Sequence, residues 1–178
     1  VSVMDAEGNV VSLTESLECF FGSGVMAPGT GMFLNDTMHD FDPVPGRINS
    51  IAPGKRPKSS MAPTIFFRGG KPEFVVGSAA GPRIITAVAQ VTLNILEHGM
   101  DLQEAISAPR FHFQGGTTLR MEDRMPKTVQ DELAKRGYHI ELEGDYNLEF
   151  GGVQAIYVKN GVMHGGADPR RDGGAIGL

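Results

Sequence analysis

Apolar and polar residues follow each other in short bursts along this chain, and the bursts set out the first elements. Val1-Ser2-Val3-Met4 and Val10-Val11-Ser12-Leu13-Thr14 flank Asp5-Ala6-Glu7-Gly8-Asn9, a pattern that predicts a hairpin closed by a Gly-Asn turn. The logic recurs from Thr64 to Val76, where Ile65-Phe66-Phe67 and Phe74-Val75-Val76 bracket a turn at Gly69-Gly70. Both runs are apolar on either face, which predicts a sheet covered on both sides. A third hairpin is predicted from Val153-Val158 and Val162-Met163-His164 around Lys159-Asn160-Gly161. Between these strands, Ile84, Ile85, Val88, Val91, Ile95 and Leu96 fall at helical spacing, so a core helix is expected from about Pro82 to Glu97 with Gly99 as its stop. Shorter helices are expected at Asp101 to Ser107 and at Lys127 to Lys135, the latter ended by Gly137. The stretch through Gly22, Gly24, Gly29 and Gly31 and on to Phe41 has no clean period and reads as irregular. Strands flanking a helical middle point to the α+β class, with sheets and helices packed in layers.

Composition narrows the picture. The 178 residues suffice for one sizeable core and read as a single domain, 1–178. A net charge of −5 and a pI near 5.5 leave no electrostatic footprint for nucleic acid. One cysteine, Cys19, excludes an intrachain disulfide framework and Cys-rich zinc sites but leaves the compartment open. The apolar runs fall short of the roughly 20 residues of a membrane helix, so no span is expected. The chain starts directly on an apolar alternation, which reads as the cut end of a processed product or a fragment. The nine methionines are expected to fill gaps in the core.

Candidate chemistry sits in a few loops. From Pro53 to Thr64 the chain carries three prolines, the cations Lys55, Arg56 and Lys58, and the pair Ser59-Ser60. Proline fixes φ and removes donors, so the remaining N–H groups and hydroxyls suit an anion-binding surface, although an ordinary solvated basic loop fits the same residues. At Gly77-Ser78-Ala79-Ala80-Gly81-Pro82-Arg83 a strand runs through small residues into a helix. Backbone N–H groups are accessible in such a turn and suit an oxyanion or phosphate, and packing is the competing explanation. The spacing and lysine of a nucleotide P-loop are absent. Asp40 and Asp42 bracket Phe41 and suit either an ammonium group or an Asx turn before Pro43. No serine lies in a G-x-S-x-G elbow, and the five histidines lack ligand spacing, so neither a hydrolase triad nor a metal or other cofactor is expected. The charges of Asp168, Arg170, Arg171 and Asp172 among glycines read as a buried ion-paired loop.

Together these segments resemble the small, C-terminal subunit of the γ-glutamyltranspeptidase family, within the N-terminal nucleophile hydrolases. The resemblance spans nearly the whole chain. It rests on Val3-Met4-Asp5 with Gly8-Asn9, Phe21-Gly22-Ser23-Gly24, Leu34-Asn35, Met38-x-Asp40-Phe41, Pro53-Gly54-Lys55-Arg56-Pro57, Ser59-Ser60-Met61-x-Pro63-Thr64, Gly77-Ser78, Ala108-Pro109-Arg110, Gln154-Ala155-Ile156 and Asp168-Pro169-Arg170. It implies half of a four-layer αββα fold, completed by a large N-terminal subunit cut from the same precursor, possibly as a dimer of such heterodimers. It also implies an N-terminal Thr nucleophile, three positions before Val1, that attacks a γ-glutamyl or related acyl amide with its own α-amine as base. By position, Ser16 falls where the family has a Thr supporting the nucleophile, Ala80 and Gly81 supply the oxyanion hole, Ser59 and Ser60 bind the substrate carboxylate, and Asp40 binds its ammonium. Glu18 and Thr37 stand where well-known members carry Asn and Gln or Glu near that ammonium. The loop from Pro43 to Ala52 is shorter than the lid of many bacterial members, which implies an open site and leaves acylase activity open. A catalytically inactive homologue acting as a binding or structural subunit is the alternative.

Overall fold

The computed structural model describes residues 1–177. The chain divides into two compact units, one formed by Val1–Thr14 with the chain from Met61 onward, the other by Glu15–Ser60.

The first unit begins with the expected hairpin, β1 (Ser2–Met4) and β2 (Val10–Ser12), paired antiparallel. β3 (Thr64–Arg68) and β4 (Lys71–Gly77) form the second hairpin. After α1 (Arg83–Leu96) and α2 (Leu102–Ser107) come β5 (Phe111–His112), β6 (Thr118–Met121), α3 (Lys127–Lys135) and β7 (His139–Leu142). A 3₁₀ turn at Leu148–Phe150 leads into β8 (Gln154–Lys159) and β9 (Val162–Ala167). A four-stranded antiparallel sheet has the order β3-β4-β8-β9, and a three-stranded sheet has the order β5-β6-β7. The helices and hairpins lie where the periodicity puts them.

α1 forms because its apolar residues fall on one stripe, and Ile84, Ala87, Val88, Val91 and Ile95 are buried along it. They meet Phe74, Val76, Val153 and Ala155 of the four-stranded sheet, while α2 adds Leu102, Ala105 and Ile106. Burial of a Val91 or Ile95 side chain contributes about 1.5–3 kcal/mol. The chain leaves α1 through Gly99, which takes φ +65°, and the Met100 N–H donates back to the Asn94 carbonyl at 2.9 Å. α2 is capped by Asp101, whose carboxylate accepts from the Gln103 N–H.

Three features depart from the sequence expectations. The sheet β5-β6-β7 was not foreseen, and its β6-β7 pair is parallel across α3. Its strands are short, and parallel pairing leaves no turn signal between partners. Covering on both faces holds for β4, where Phe74, Val75 and Val76 are fully buried, but not for the edge strand β3, whose Phe67 is 61% exposed beside a bulge. The methionines do not mainly fill the core. Met121 is buried, whereas Met26, Met32, Met38, Met61 and Met163 are exposed, because most of these lie in irregular segments with no second layer to cover them.

The ion-paired loop is present and reaches further than the glycine-rich segment suggests. Arg170 makes a bidentate contact with Glu122, Nε to Oε1 at 2.7 Å and Nη2 to Oε2 at 2.6 Å. Asp168 joins Arg110 at 2.7 Å and Arg170 at 3.1 Å, with all four side chains at most 2% exposed. Arg124 adds a contact to Glu122 at 2.8 Å. Burial lowers the Arg110 pKa to about 10, with Asp168 opposing the shift. Glu122→Gln should destabilise the full-length protein by about 3–5 kcal/mol, because it strands a buried guanidinium. Asp131→Asn, which removes the exposed pair with Lys127, should stay within about 1 kcal/mol. Denaturant unfolding of the two variants side by side checks both.

Candidate active site

The unit Glu15–Ser60 opens with a turn at Ser16. The Ser16 hydroxyl accepts the Glu18 N–H at 2.8 Å, closing a turn in which Glu18 adopts φ +79°. A non-glycine residue held in that region carries strain that its surroundings must enforce. Here the Cys19 N–H donates to Asp36 Oδ1 at 3.1 Å and the Asp36 N–H to the Leu17 carbonyl at 3.0 Å, so Glu18 is fixed on both sides. Asp36 also accepts from the Cys19 thiol, which raises the thiol pKa. Thr37 opens a 3₁₀ turn, Thr37–Asp40, and its N–H donates to Asn35 Oδ1 at 3.1 Å.

This turn brings Asp40 to Glu18. The Glu18 pKa is raised, first by burial and then by the negative charges of Asp40 and Asp36, and the Glu18 and Asp40 side chains share a hydrogen bond. A carboxylate beside another carboxyl group disfavours its ionisation, and a cation placed next to the pair would relieve that repulsion. Asp42 plays a different part. Its carboxylate accepts the Val44 N–H at 2.9 Å and pairs with Arg47 at 3.0 Å, which is the Asx-turn alternative.

The basic loop is built on a Pro53-Gly54 turn closed by the Lys55 N–H to the Ala52 carbonyl at 3.2 Å. Lys55, Arg56, Lys58 and Ser59 are exposed and Ser60 is half-buried. The loop is tied to the acid pair by Asn49, a residue that sequence reasoning missed. Asn49 Nδ2 donates to the Asp40 carbonyl at 2.6 Å, and its Oδ1 accepts the Lys58 N–H at 2.9 Å. The unit thus links Ser16, Glu18, Asp40 and the loop of Ser59 and Ser60 through one set of contacts.

Ala80 and Gly81 belong to the other unit. Both take positive φ, +103° and +51°. Their carbonyls turn inward to accept Arg83 and Ile84 N–H at 3.1 and 3.0 Å, starting α1. Among the described residues their own N–H groups make no hydrogen bond. Ser78, 6% exposed, anchors the turn by accepting the Gly152 N–H at 3.2 Å. Two adjacent unpaired N–H groups at a helix start can receive an oxyanion.

Of the histidines, His112 is buried with Nδ1 against the Thr86 hydroxyl at 2.9 Å, and burial lowers its pKa. The other four are exposed. Among the described residues no group of three or more His, Cys, Asp or Glu side chains is arranged to hold a metal ion, and no helix is long and apolar enough to cross a membrane.

The acid pair and the serine-bearing basic loop thus lie in one unit, and the turn at Ala80 and Gly81 lies in the other. The family model for Gamma-glutamyltranspeptidase matches residues 1–178, and the chain belongs to that family. A glutathione hydrolase proenzyme of Bacillus subtilis is 42% identical across 99% of this chain, and an acylase ACY 1 proenzyme of a Pseudomonas species is 40% identical across all of it. The chain spans 30% and 31% of those two relatives. The γ-glutamyltranspeptidase from Pseudomonas nitroreducens complexed with L-DON superposes with a TM-score of 0.91 at 36% identity, over 99% of this chain and 97% of that one.

Ala80→Gly should stabilise the protein by about 1 kcal/mol, the relief of a positive φ exceeding the extra chain entropy of glycine. Thermal unfolding reads it. Glu18 should titrate above its ordinary value of 4.5. A raised folded-state pKa means its stabilising contribution is full below the unfolded value and is lost as pH rises through the folded one. Glu18→Gln should therefore gain stability over the wild type at neutral pH, and the gain should fade in acid. Unfolding midpoints against pH check this.

Proposed function

We propose that this chain is the small, catalytic subunit of a γ-glutamyltransferase-like amidohydrolase acting on γ-glutamyl amides of the glutathione type or related acyl amides. The contact between Glu18 and Asp40 carries the reading, since a shared acidic pocket suits the α-ammonium of a glutamyl group. In this reading Thr37, which opens the same turn, also helps to hold the ammonium. Ser59 and Ser60 take the α-carboxylate beside Lys55, Arg56 and Lys58.

The nucleophile is the N-terminal Thr that precursor cleavage exposes upstream of Val1. Its hydroxyl oxygen attacks the amide carbonyl while its α-amine takes the proton, and the oxyanion that forms is received by the N–H groups of Ala80 and Gly81. Collapse of the tetrahedral intermediate breaks the C–N bond, returns the proton to the leaving amine and leaves an acyl ester. Water or the amine of an acceptor amino acid or peptide then attacks that ester, giving hydrolysis or transfer. Ser16 supports the nucleophile from the turn that also sets Glu18. No metal or cofactor is required by these steps.

A large N-terminal subunit from the same precursor completes the four-layer αββα fold. The coverage supports this division: the chain matches about 30% of relatives named as proenzymes, yet 97% of one γ-glutamyltranspeptidase chain of known structure. The acylase relative supports acyl groups beyond γ-glutamyl as donors. Intact-mass analysis and N-terminal sequencing of the full-length gene product should find two chains, the smaller starting at a Thr just before Val1, and the mixture should cleave γ-glutamyl-p-nitroanilide. A single uncut chain without turnover would overturn the reading in favour of an inactive homologue.

A further inference from the structure

Asn49 is half-buried and engages three polar groups at once. Its Nδ2 donates to the Asp40 carbonyl, its Oδ1 accepts the Lys58 N–H, and its own carbonyl accepts the Asp42 N–H at 2.9 Å. Asp40 is the residue assigned above to the substrate ammonium, and Lys58 directly precedes the Ser59-Ser60 pair assigned to the carboxylate. One planar carboxamide therefore spans the two segments that would recognise the two charged ends of a glutamyl group. We propose that Asn49 is the positioning residue that fixes the separation of the ammonium and carboxylate subsites, and so sets selectivity for acyl donors that carry both groups. The inference rests on the functional reading above.

The surrounding loop makes this strut stiff. Ser50, 8% exposed, accepts the Arg47 N–H at 2.8 Å and donates to the Val44 carbonyl at 2.5 Å. Arg47 pairs with Asp42, the Asp42 carboxylate accepts the Val44 N–H, and Asp42 and Ser50 form an isolated parallel bridge. Residues 42–50 are thus braced across their width, and Asn49 is held from behind as well as in front. An amide is the side chain that fits, because it presents one donor and one acceptor on a rigid plane. Aspartate keeps the acceptor for Lys58 but sets oxygen against the Asp40 carbonyl, and alanine removes both bonds. Recognition groups held at a fixed spacing lower the ordering cost of binding a ligand that matches it.

The test uses the full-length protein and its Asn49→Ala and Asn49→Asp variants. Two donors are compared: γ-glutamyl-p-nitroanilide, and glutaryl-p-nitroanilide, which keeps the carboxylate and lacks the amine. The expected result is a KM for the γ-glutamyl donor raised about tenfold, a kcat changed by less than about threefold, and a matching loss of preference over the glutaryl donor. A residue that merely supports the fold would slow both donors alike and leave the preference intact, which overturns the proposal. Asn49→Asp, which retains the bond to Lys58, decides the matter if Asn49→Ala does not fold. A wild type that cleaves γ-glutamyl-p-nitroanilide while both variants keep its KM removes the role of Asn49 alone. A wild type that cleaves neither donor removes the functional reading, and this inference with it.

Discussion

The buried contact of Arg110 and Arg170 with Asp168 and Glu122 is the constraint on which the larger unit depends. Taking four charges out of water costs several kcal/mol each, and the cost is offset only when every oxygen and most N–H groups find partners. The network meets that demand by recruiting backbone from distant segments. Arg110 donates to the carbonyls of Phe150 and Ile106, at 2.9 and 2.6 Å. Arg170 donates to Ile106 and Ala108, at 3.0 and 2.7 Å. Asp168 accepts the Val153 N–H at 2.8 Å, and Glu122 accepts the Arg110 N–H at 3.1 Å. The end of α2, the entry to β8, the exit of β6 and the segment after β9 are thereby fixed at one point. An apolar core would tolerate small slips of these segments, whereas directional bonds to saturated carboxylates do not.

That point also bears on the turn through residues 77–81 of the same unit. Gly151 follows Phe150, whose carbonyl receives Arg110, and Gly152 donates to the Ser78 hydroxyl. A Cβ on Gly151 would stand 2.8 Å from Ser78 Oγ and 3.0 Å from Arg110 Nη1. The backbone there is squeezed between the ion network and the turn, which explains a glycine with φ +110° at this place. Positions 77–81 are held in consequence from two sides, by α1 ahead of them and by Ser78 against Gly152 behind. The positive φ of Ala80 persists because the turn is over-determined by these surroundings.

Elements that rest on local pattern were legible in the sequence. α3 spans Lys127–Lys135 as expected, and the turn at Gly69-Gly70 joins β3 to β4. What escaped depends on partners far along the chain. β5 has two residues, and Thr118–Met121 pairs with His139–Leu142 only after α3 carries the chain back. Glu122 and Arg110 look like ordinary surface charges, since burial of a charge is a property of the residues that surround it and not of its neighbours in sequence. Family motifs named Ser16, Glu18, Thr37, Asp40, Ser59, Ser60, Ala80 and Gly81, but they are silent on Asn49, which sits among turn formers between Arg47 and Pro53. One signal was available: Asn49 lies nine residues from Asp40 and nine from Lys58, midway between the acidic and the basic segment.

The smaller unit solves with hydrogen bonds a problem that the larger one solves with burial. Residues 15–60 contain one short 3₁₀ turn and two isolated bridges, and Ser50 is their buried residue. Without a core, the geometry must come from side chains that bond to nearby backbone: Ser16 to Glu18, Asn35 to Thr37, Asp42 to Val44, Asn49 to Asp40 and Lys58. Such bonds contribute about 0.5–1.5 kcal/mol each, too little to resist a large force but enough to select one loop conformation from many. A loop unit made this way places polar groups where a sheet or helix could not, and it leaves the carboxyl groups of Glu18 and Asp40 side by side. Under the proposed function, a cationic substrate group would join these two carboxyl groups, which share a hydrogen bond with each other.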